Sequence, residues 1–465
     1  MYNGSMRSRG SKSFLLTFLL LALITGLVII VNPIKLYKRA SGVPANLVVF
    51  TGASYLDKVN AWRNLAQGGE ETNVRMLAPV LSQVKALGAS YIRIDHVFDG
   101  YNVVSRDGGG ALQFNWTSLD ATISDIQAAG AKPYIALSYM PPAISRGDII
   151  EVPNNWGDWE LVVQRTVEHI SGTLGISGVY YEVWNEPDLF GKFKVYGDKN
   201  YLELYSHSAV GAARASGVKA FKFGGPATTA LYENWMRGLL KMVSANRMRL
   251  DFVSWHRYSK DLDVYEEDYK KITAWLADYP GYEDIELHIT EAGPNSENDK
   301  VYDNYFGAIH LLATSALLEG DIDRLFHFEI KDGPGNEKYW GRWGMLTHEK
   351  WGAPEAKPRY NAFFFLNKIR GEKLNVAGEG SWVKAMAKVE AGVIRMMVVN
   401  YDVYGTHSEN VPVKFDELTG AKYVYKRTDY GGVQTQLEIT PTTGSFSTTE
   451  FLKPNSAIIL ELIPS

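Results

Sequence analysis

Val179-Tyr180-Tyr181-Glu182-Val183-Trp184-Asn185-Glu186-Pro187 begins as a β-branched and aromatic run and breaks at a proline, which cannot continue a ladder. The run reads as a buried strand, so Glu186 sits where that strand ends. A carboxylic acid at such a mouth, with an amide beside it and aromatics around it, is placed to donate a proton in a partly desolvated cleft. Alone, the tripeptide Asn185-Glu186-Pro187 could be a chance turn. A second stretch changes that balance. Ile285-Glu286-Leu287-His288-Ile289-Thr290-Glu291-Ala292-Gly293 also alternates apolar and polar residues and ends in a glutamate followed by small residues. If both strands belong to one barrel, Glu186 and Glu291 reach the same mouth. Two strand-end glutamates are the minimum equipment for glycoside hydrolysis, one protonating the glycosidic oxygen and the other attacking the anomeric carbon.

Working outward, strand and helix signals alternate from about Ala45, the signature of a parallel sheet with crossover helices. The expected strands are 46–52, 90–98, 132–139, the Glu186 strand, 219–224, 251–258, the Glu291 strand and 324–329. The expected helices are 73–87, 117–130, 159–174, 201–215, 234–245, 265–279, 303–318 and 357–369. Eight such units over about three hundred residues match a (β/α)8 TIM barrel, whose functional loops lie at strand C-termini. After Gly371 the pattern changes to short alternating runs with turn residues, read as a small antiparallel β-sandwich. The expected domains are a tail at 1–13, a transmembrane segment at 14–31, a linker at 32–44, the barrel at 45–371 and the β-domain at 372–465.

The 465 residues suffice for a large domain and a smaller one, and 46% hydrophobic with 22% charged residues is an ordinary globular composition. A formal net charge of −4 with mixed signs gives no basic footprint for nucleic acid. The absence of cysteine excludes a disulfide framework, a Cys-ligated metal and a thiol nucleophile. No His-x-His, His-Glu-x-x-His, Gly-x-Ser-x-Gly, phosphate-binding loop or dinucleotide fingerprint occurs, so neither a metal nor a cofactor is expected. The apolar run Phe14–Val31, flanked by Arg7, Arg9 and Lys12 and by Lys35, Lys38 and Arg39, lacks a small-residue cleavage site and exceeds a signal h-region. It reads as an uncleaved signal anchor holding the rest outside the membrane, with secretion as the alternative if the segment is cleaved.

Further residues cluster around the two glutamates. His256 and Tyr258, two apart at the end of strand six, aim at the mouth from one face, and a Tyr258 phenol on Glu291 would hold it ionised and oriented. Arg93 and Asp95 on strand two place a guanidinium near the nucleophile and a carboxylate on a sugar hydroxyl, or form a structural ion pair. Asn185 is placed to bond a sugar 2-hydroxyl. Tyr139, Trp156, Trp340 and Trp343 are candidate sugar platforms, since flat rings stack on the C–H faces of sugars. His288, an odd number of residues from Glu291, is expected to point away from it.

With Trp184-Asn185-Glu186-Pro187-Asp188, His256-x-Tyr258, Thr290-Glu291, Trp343-Gly344-Met345-Leu346 and Lys357-Pro358-Arg359-Tyr360 in this order, the chain resembles retaining glycoside hydrolases of clan A, and among them family 39. The resemblance implies Glu186 as acid/base, Glu291 as nucleophile and the C-terminal β-domain as a family accessory. Where the β-xylosidases and α-iduronidases of that family carry Arg-x-His-Gly on strand two, this chain has Arg93-Ile94-Asp95-His96. Arg-x-Asp with an N-terminal membrane segment is nearer the bacterial branch that cuts exopolysaccharide internally, although Ala292-Gly293 stands where that branch usually has Trp-Gly. The resulting expectation is a retaining, endo-acting polysaccharide hydrolase, with carboxyl groups about 5–5.5 Å apart and Glu186 the more buried, with the higher pKa. The alternatives are an exo-acting β-xylosidase-like glycosidase and a catalytically silent, membrane-anchored glycan-binding protein.

Overall fold

The computed structural model describes residues 42–56 and 60–465. The apolar run read as a membrane anchor lies outside the described residues; among those described, no helix is long and apolar enough to cross a membrane.

Eight parallel strands close a barrel: Asn64–Gln67, Tyr91–Ile94, Lys132–Leu137, Val179–Val183, Phe221–Thr228, Phe252–Tyr258, Glu286–Gly293 and Arg324–Phe328. The last strand pairs with the first, Phe326 opposite Asn64, which closes the ring. Each strand is followed by its helix, from Leu81–Leu87 after the first to Pro358–Leu366 after the eighth. The barrel strands are covered on both faces: outward residues pack on helices, and inward ones such as Tyr134, Tyr180, Phe252 and Phe326 fill the barrel.

The first barrel strand corrects the sequence reading. Leu47–Tyr55 is a strand, as its β-branched residues predict, but it pairs with Glu372–Ala377 and with Glu409–Asp416 in the C-terminal sheet. Asn64–Gln67 takes its place in the barrel. Propensity selects the extended conformation, and burial of Leu47 and Val49 against Val411, Val413 and Phe415 selects the sheet. The first helix is also shorter than expected. It starts with a 3-10 turn at Ala78–Val80, where Pro79 sets the entry, and ends at Gly88, whose φ of 65° closes the last turn.

The C-terminal domain is one nine-stranded sheet rather than two separate antiparallel sheets, and it contains one parallel pair, Leu47–Tyr55 with Glu409–Asp416. It curls over its own core so that strands far apart in the ladder meet: Tyr425 packs on Phe446 at 5.2 Å. Alternate residues of Val393–Asn400 face opposite ways. Met396 and Val398 enter the sheet's own core, whereas Met397 and Val399 join the barrel core cluster. A buried Lys388–Glu319 ion pair and the Tyr401 hydroxyl, which donates to the Lys260 carbonyl at 2.7 Å, tie the two together.

Candidate active site

The fourth strand ends at Val183, and the chain then leaves it through two residues with left-handed backbones, Trp184 at φ 73° and Glu186 at φ 45°. Such conformations cost about 1–3 kcal/mol each for a non-glycine residue and persist only where the surroundings enforce them. Here Trp184 is fully buried with its indole N–H on the Phe190 carbonyl, and the Glu186 amide donates to the Ala227 carbonyl at 2.9 Å. The turn is closed by the Leu189 and Phe190 amides, which donate back to the Glu186 carbonyl at 3.0 and 2.7 Å. The carboxyl is thereby aimed across the mouth.

Opposite it, strand seven is irregular between Ile289 and Glu291, in its pairing with both neighbours. This bulge corrects the parity argument for His288. The inserted residue lets both His288 and Glu291 face the barrel interior, with His288 lower down, stacked on Phe252 at 4.6 Å and bonded to Glu286 and Tyr134.

Arg93 joins the two halves of the site. Only 1% exposed, it donates through Nε to Glu182 at 2.7 Å, through one terminal nitrogen to Glu291 Oε1 at 2.9 Å and through the other to Asn185 Oδ1 at 2.7 Å. Tyr258 donates to Glu291 Oε2 at 2.7 Å, so both Glu291 oxygens are held. His256 Nδ1 lies 2.9 Å from Glu186 Oε1 and 3.5 Å from Glu291 Oε2, spanning the gap between the carboxylates. The ligand atoms of Glu186, His256 and Glu291 all lie within 4.8 Å of one another.

The electrostatics reverse one expectation. Glu186 is the more open of the two, with 14% of its side chain exposed against 8% for Glu291. Burial pushes the Glu291 carboxyl above its ordinary range, and His256 and Arg93 pull against that rise. For His256, burial opposes the charge, yet the charges of Glu291 and Glu186 outweigh it and raise the pKa. Among the described residues, Glu186, His256 and Glu291 are also close enough together to offer ligand atoms to one cation. Arg93 already places a full positive charge on Glu291, however, and a divalent ion there would have to displace it.

The remaining candidates divide. Asp95 is buried and accepts from the Gly69 amide at 2.9 Å, beside Arg93 but bonded to the neighbouring loop. Asn185 donates to the Tyr139 hydroxyl at 2.8 Å, so Tyr139, 2% exposed, supports the site from within and offers no open face. Trp343 is at the mouth, 5.3 Å from Phe328, with the Arg342 guanidinium 3.6 Å above its ring. Trp340 lies farther along that loop under the same arginine. Trp156 is not in a post-strand loop: it opens the helix Trp156–Val167 and stacks on His207 at 4.7 Å in the outer layer.

Two buried acids were missed. Glu182, fully buried within strand four, is the main counter-charge of Arg93. Glu329 directly follows strand eight, accepts from Gln67 at 3.0 Å and from the Gly68 amide at 3.3 Å, and leaves its other oxygen unpartnered. Burial, then the charge of Glu70, raises its pKa well above the carboxylate range. Gly68 permits this approach, because a Cβ there would lie 2.9 Å from the Phe328 ring. A charged residue inside an apolar strand and a third strand-end glutamate were the available signals.

A family model described as glycosyl hydrolases family 39 matches residues 75–427. Among curated proteins, a beta-xylosidase of Caldicellulosiruptor saccharolyticus is 25% identical over 377 residues, covering 73% of this chain and 75% of that protein. A beta-xylosidase of Geobacillus stearothermophilus is 26% identical over 317 residues, covering 60% of this chain and 61% of the relative. Among solved structures, a GH39 enzyme from Xanthomonas axonopodis pv. citri superposes with a TM-score of 0.74 at 18% identity, over 91% of this chain and 98% of the other. A monomeric beta-xylosidase from Caulobacter crescentus CB15 gives 0.74 at 19% identity, over 90% and 99%. At these identities the structural likeness carries the fold.

Proposed function

The chain belongs to glycosyl hydrolase family 39 and is a glycoside hydrolase acting on carbohydrate, and from that premise we propose that it works by retaining double displacement with Glu186 and Glu291. The observation that supports this reading is the approach of the two carboxylates to within 4.8 Å, bridged by His256. Retaining enzymes hold their carboxyl groups about 5–5.5 Å apart, and inverting ones leave about 6.5–9.5 Å for a water. Arg93 and Tyr258 bond both oxygens of Glu291 and direct it for attack at the anomeric carbon, and the Arg93 charge opposes the upward push of burial on its carboxyl. Glu186, more open and steered by His256, protonates the leaving oxygen and then activates water against the glycosyl-enzyme bond. Asn185, fixed by Arg93 and Tyr139, is positioned for the sugar 2-hydroxyl, and Trp343 and Trp340 for ring faces near the mouth.

The substrate in this reading is an extracytoplasmic polysaccharide cut internally, with the apolar run Phe14–Val31 anchoring the enzyme to the membrane. The second reading, an exo-acting β-xylosidase-like enzyme, is favoured by the two bacterial relatives described as beta-xylosidases. Incubating the protein with a broad polysaccharide panel, beside Glu291→Ala, and sizing released oligosaccharides by mass spectrometry separates the two. Long products absent from the variant support internal cutting. Release of single sugars from chain ends only selects the exo reading, and equal release by both proteins removes Glu291 from the mechanism.

A further inference from the structure

We propose that the surface beside Glu186 is a leaving-group-side track for several sugar rings of a polymer, built from Phe190, Tyr196 and Tyr232. The inference rests on Glu186 being the acid that faces the leaving group, since the side of the cleft from which it protonates is the side on which the departing chain must lie.

The loop that follows Glu186 is unusually apolar for an exposed segment. Leu189 is 54% exposed, Phe190 43% and Tyr196 65%, and Tyr232, from the loop after strand five, is 39% exposed. These are not scattered residues. Phe190 is held to the Glu186 carbonyl through its amide, and its ring lies 5.9 Å from Tyr139, the partner of Asn185. Asp188, two residues past the acid, accepts from the Thr229 amide at 3.0 Å, and the Thr229 hydroxyl is 3.1 Å from the Tyr232 hydroxyl. The loop then folds over the helix Glu233–Asn246. Gly238 is required there, since a Cβ would lie 2.6 Å from Val195, and the Tyr196 hydroxyl sits 3.5 Å from the same point. Tyr232 also borders an open depression between the helices Glu233–Asn246 and Asp263–Leu276, with Asn234, Arg237, Lys271 and Trp275. Phe190, Tyr196 and Tyr232 are thus exposed aromatics on the two linked loops that follow Glu186 and strand five.

The chemistry fits uncharged sugar rings. Arg237 is neutralised by Glu233 and Asp278, each at 2.7 Å, so this charge pair does not select a strongly charged partner. Tyrosines present an apolar face and a hydroxyl at one edge, matching the C–H face and hydroxyl rim of a pyranose. A protein seated here would cover the approach to Glu186, whereas a glycan chain continuing from the cleft occupies strip and catalytic centre together.

The test is affinity electrophoresis of the full-length Glu291→Gln protein, in detergent, through gels containing xylan, mixed-linkage β-glucan or galactomannan. The glutamine keeps one oxygen to accept from Arg93, and its amide N–H can donate to the Tyr258 hydroxyl oxygen, so binding is read without cutting. Retardation in at least one gel is expected, with apparent Kd rising at least tenfold on adding Phe190→Ala, Tyr196→Ala and Tyr232→Ala together, and with Phe190→Trp alone leaving it unchanged or lower. Tyr196→Ala alone, at the most exposed position, is expected to weaken retardation with no change in thermal midpoint, which guards against misfolding. Undiminished retardation of the triple variant, or no retardation in any gel, overturns the track. Turnover by wild type without retardation removes the track and leaves the hydrolase standing, and retardation without turnover does the reverse.

Discussion

Strand seven of the barrel carries a glutamate at each end, and the two meet opposite electrostatic fates. At the floor, Glu286 accepts from the Tyr180 hydroxyl at 2.6 Å, lies 3.1 Å from His288 Nε2 and 3.4 Å from Lys222. Burial works against its charge, but these bonds and the neighbouring Arg324 hold its carboxyl below the ordinary range. At the mouth, Glu291 also has a tyrosine, a histidine and an arginine around it, yet its carboxyl is pushed up. Residue types are nearly the same; water and a second carboxylate differ. Glu286 keeps 23% of its side chain exposed against 8% for Glu291, and Glu186 faces Glu291 across the gap. Both ends keep unpartnered buried atoms, Arg324 Nε at the floor and His256 Nε2 with one Glu329 oxygen at the mouth, but only at the floor is the carboxyl held below its ordinary range. In barrels of this kind, chemistry belongs to the C-terminal face and stability to the other.

The comparison is open to direct attack. The largest effect is expected for Glu291→Gln: turnover falls by at least roughly 10³-fold, while the thermal midpoint stays level or rises, because a desolvated charge is removed. Loss of stability together with activity would place Glu291 in the structural class of Glu286. Next, Arg93→Met leaves Glu182 and Glu291 buried without their cation and is expected to cost about 3–5 kcal/mol in urea unfolding. Adding Glu182→Gln is expected to recover part of that loss, and no recovery would mean that Arg93 acts through packing alone.

At the floor, Glu286→Gln is expected to cost about 1–2 kcal/mol at neutral pH and to leave kcat within twofold. Because the folded pKa of Glu286 is depressed, its contribution is complete above the unfolded carboxylate pKa of about 4.3 and is lost as pH falls through the lower folded value. Wild type and variant therefore converge in acid. A gap that persists well below the folded pKa of about 2 would contradict the assignment. The smallest effect concerns His256→Asn. The imidazolium lowers the pKa of Glu291, so its removal is expected to move the acid limb of kcat/KM upward, by roughly half to one unit. A limb that stays in place or moves downward would show that His256 does not tune the nucleophile.

Both catalytic candidates were legible because a strand that ends in a carboxylate and then turns leaves a mark in the sequence. Glu186 follows a β-branched, apolar run and precedes Pro187, and Glu291 follows another such run and precedes the small pair Ala292-Gly293. Seven of the eight barrel strands follow from the same alternation. The first does not, since Asn64-Leu65-Ala66-Gln67 is four residues long with amides at both ends, and its burial comes wholly from its neighbours. The bulge at Ile289–Glu291 leaves no mark in composition, and without it the inward facing of both His288 and Glu291 breaks the two-residue period. Trp156 was misassigned although Asn155 accepts from the Gly157 amide at 2.9 Å, an N-cap that places the tryptophan in the first helical turn. Glu329 obeyed the rule that identified the other two glutamates and escaped because strand eight ends in Phe328-Glu329-Ile330, with no proline or glycine immediately after it.

Proton NMR of the first sugar released from the polysaccharide cut by the enzyme, recorded before mutarotation, tests the two-glutamate account most directly. Double displacement across carboxylates within 4.8 Å predicts that the new reducing end keeps the anomeric configuration of the bond that was cleaved. An initially inverted product would contradict it.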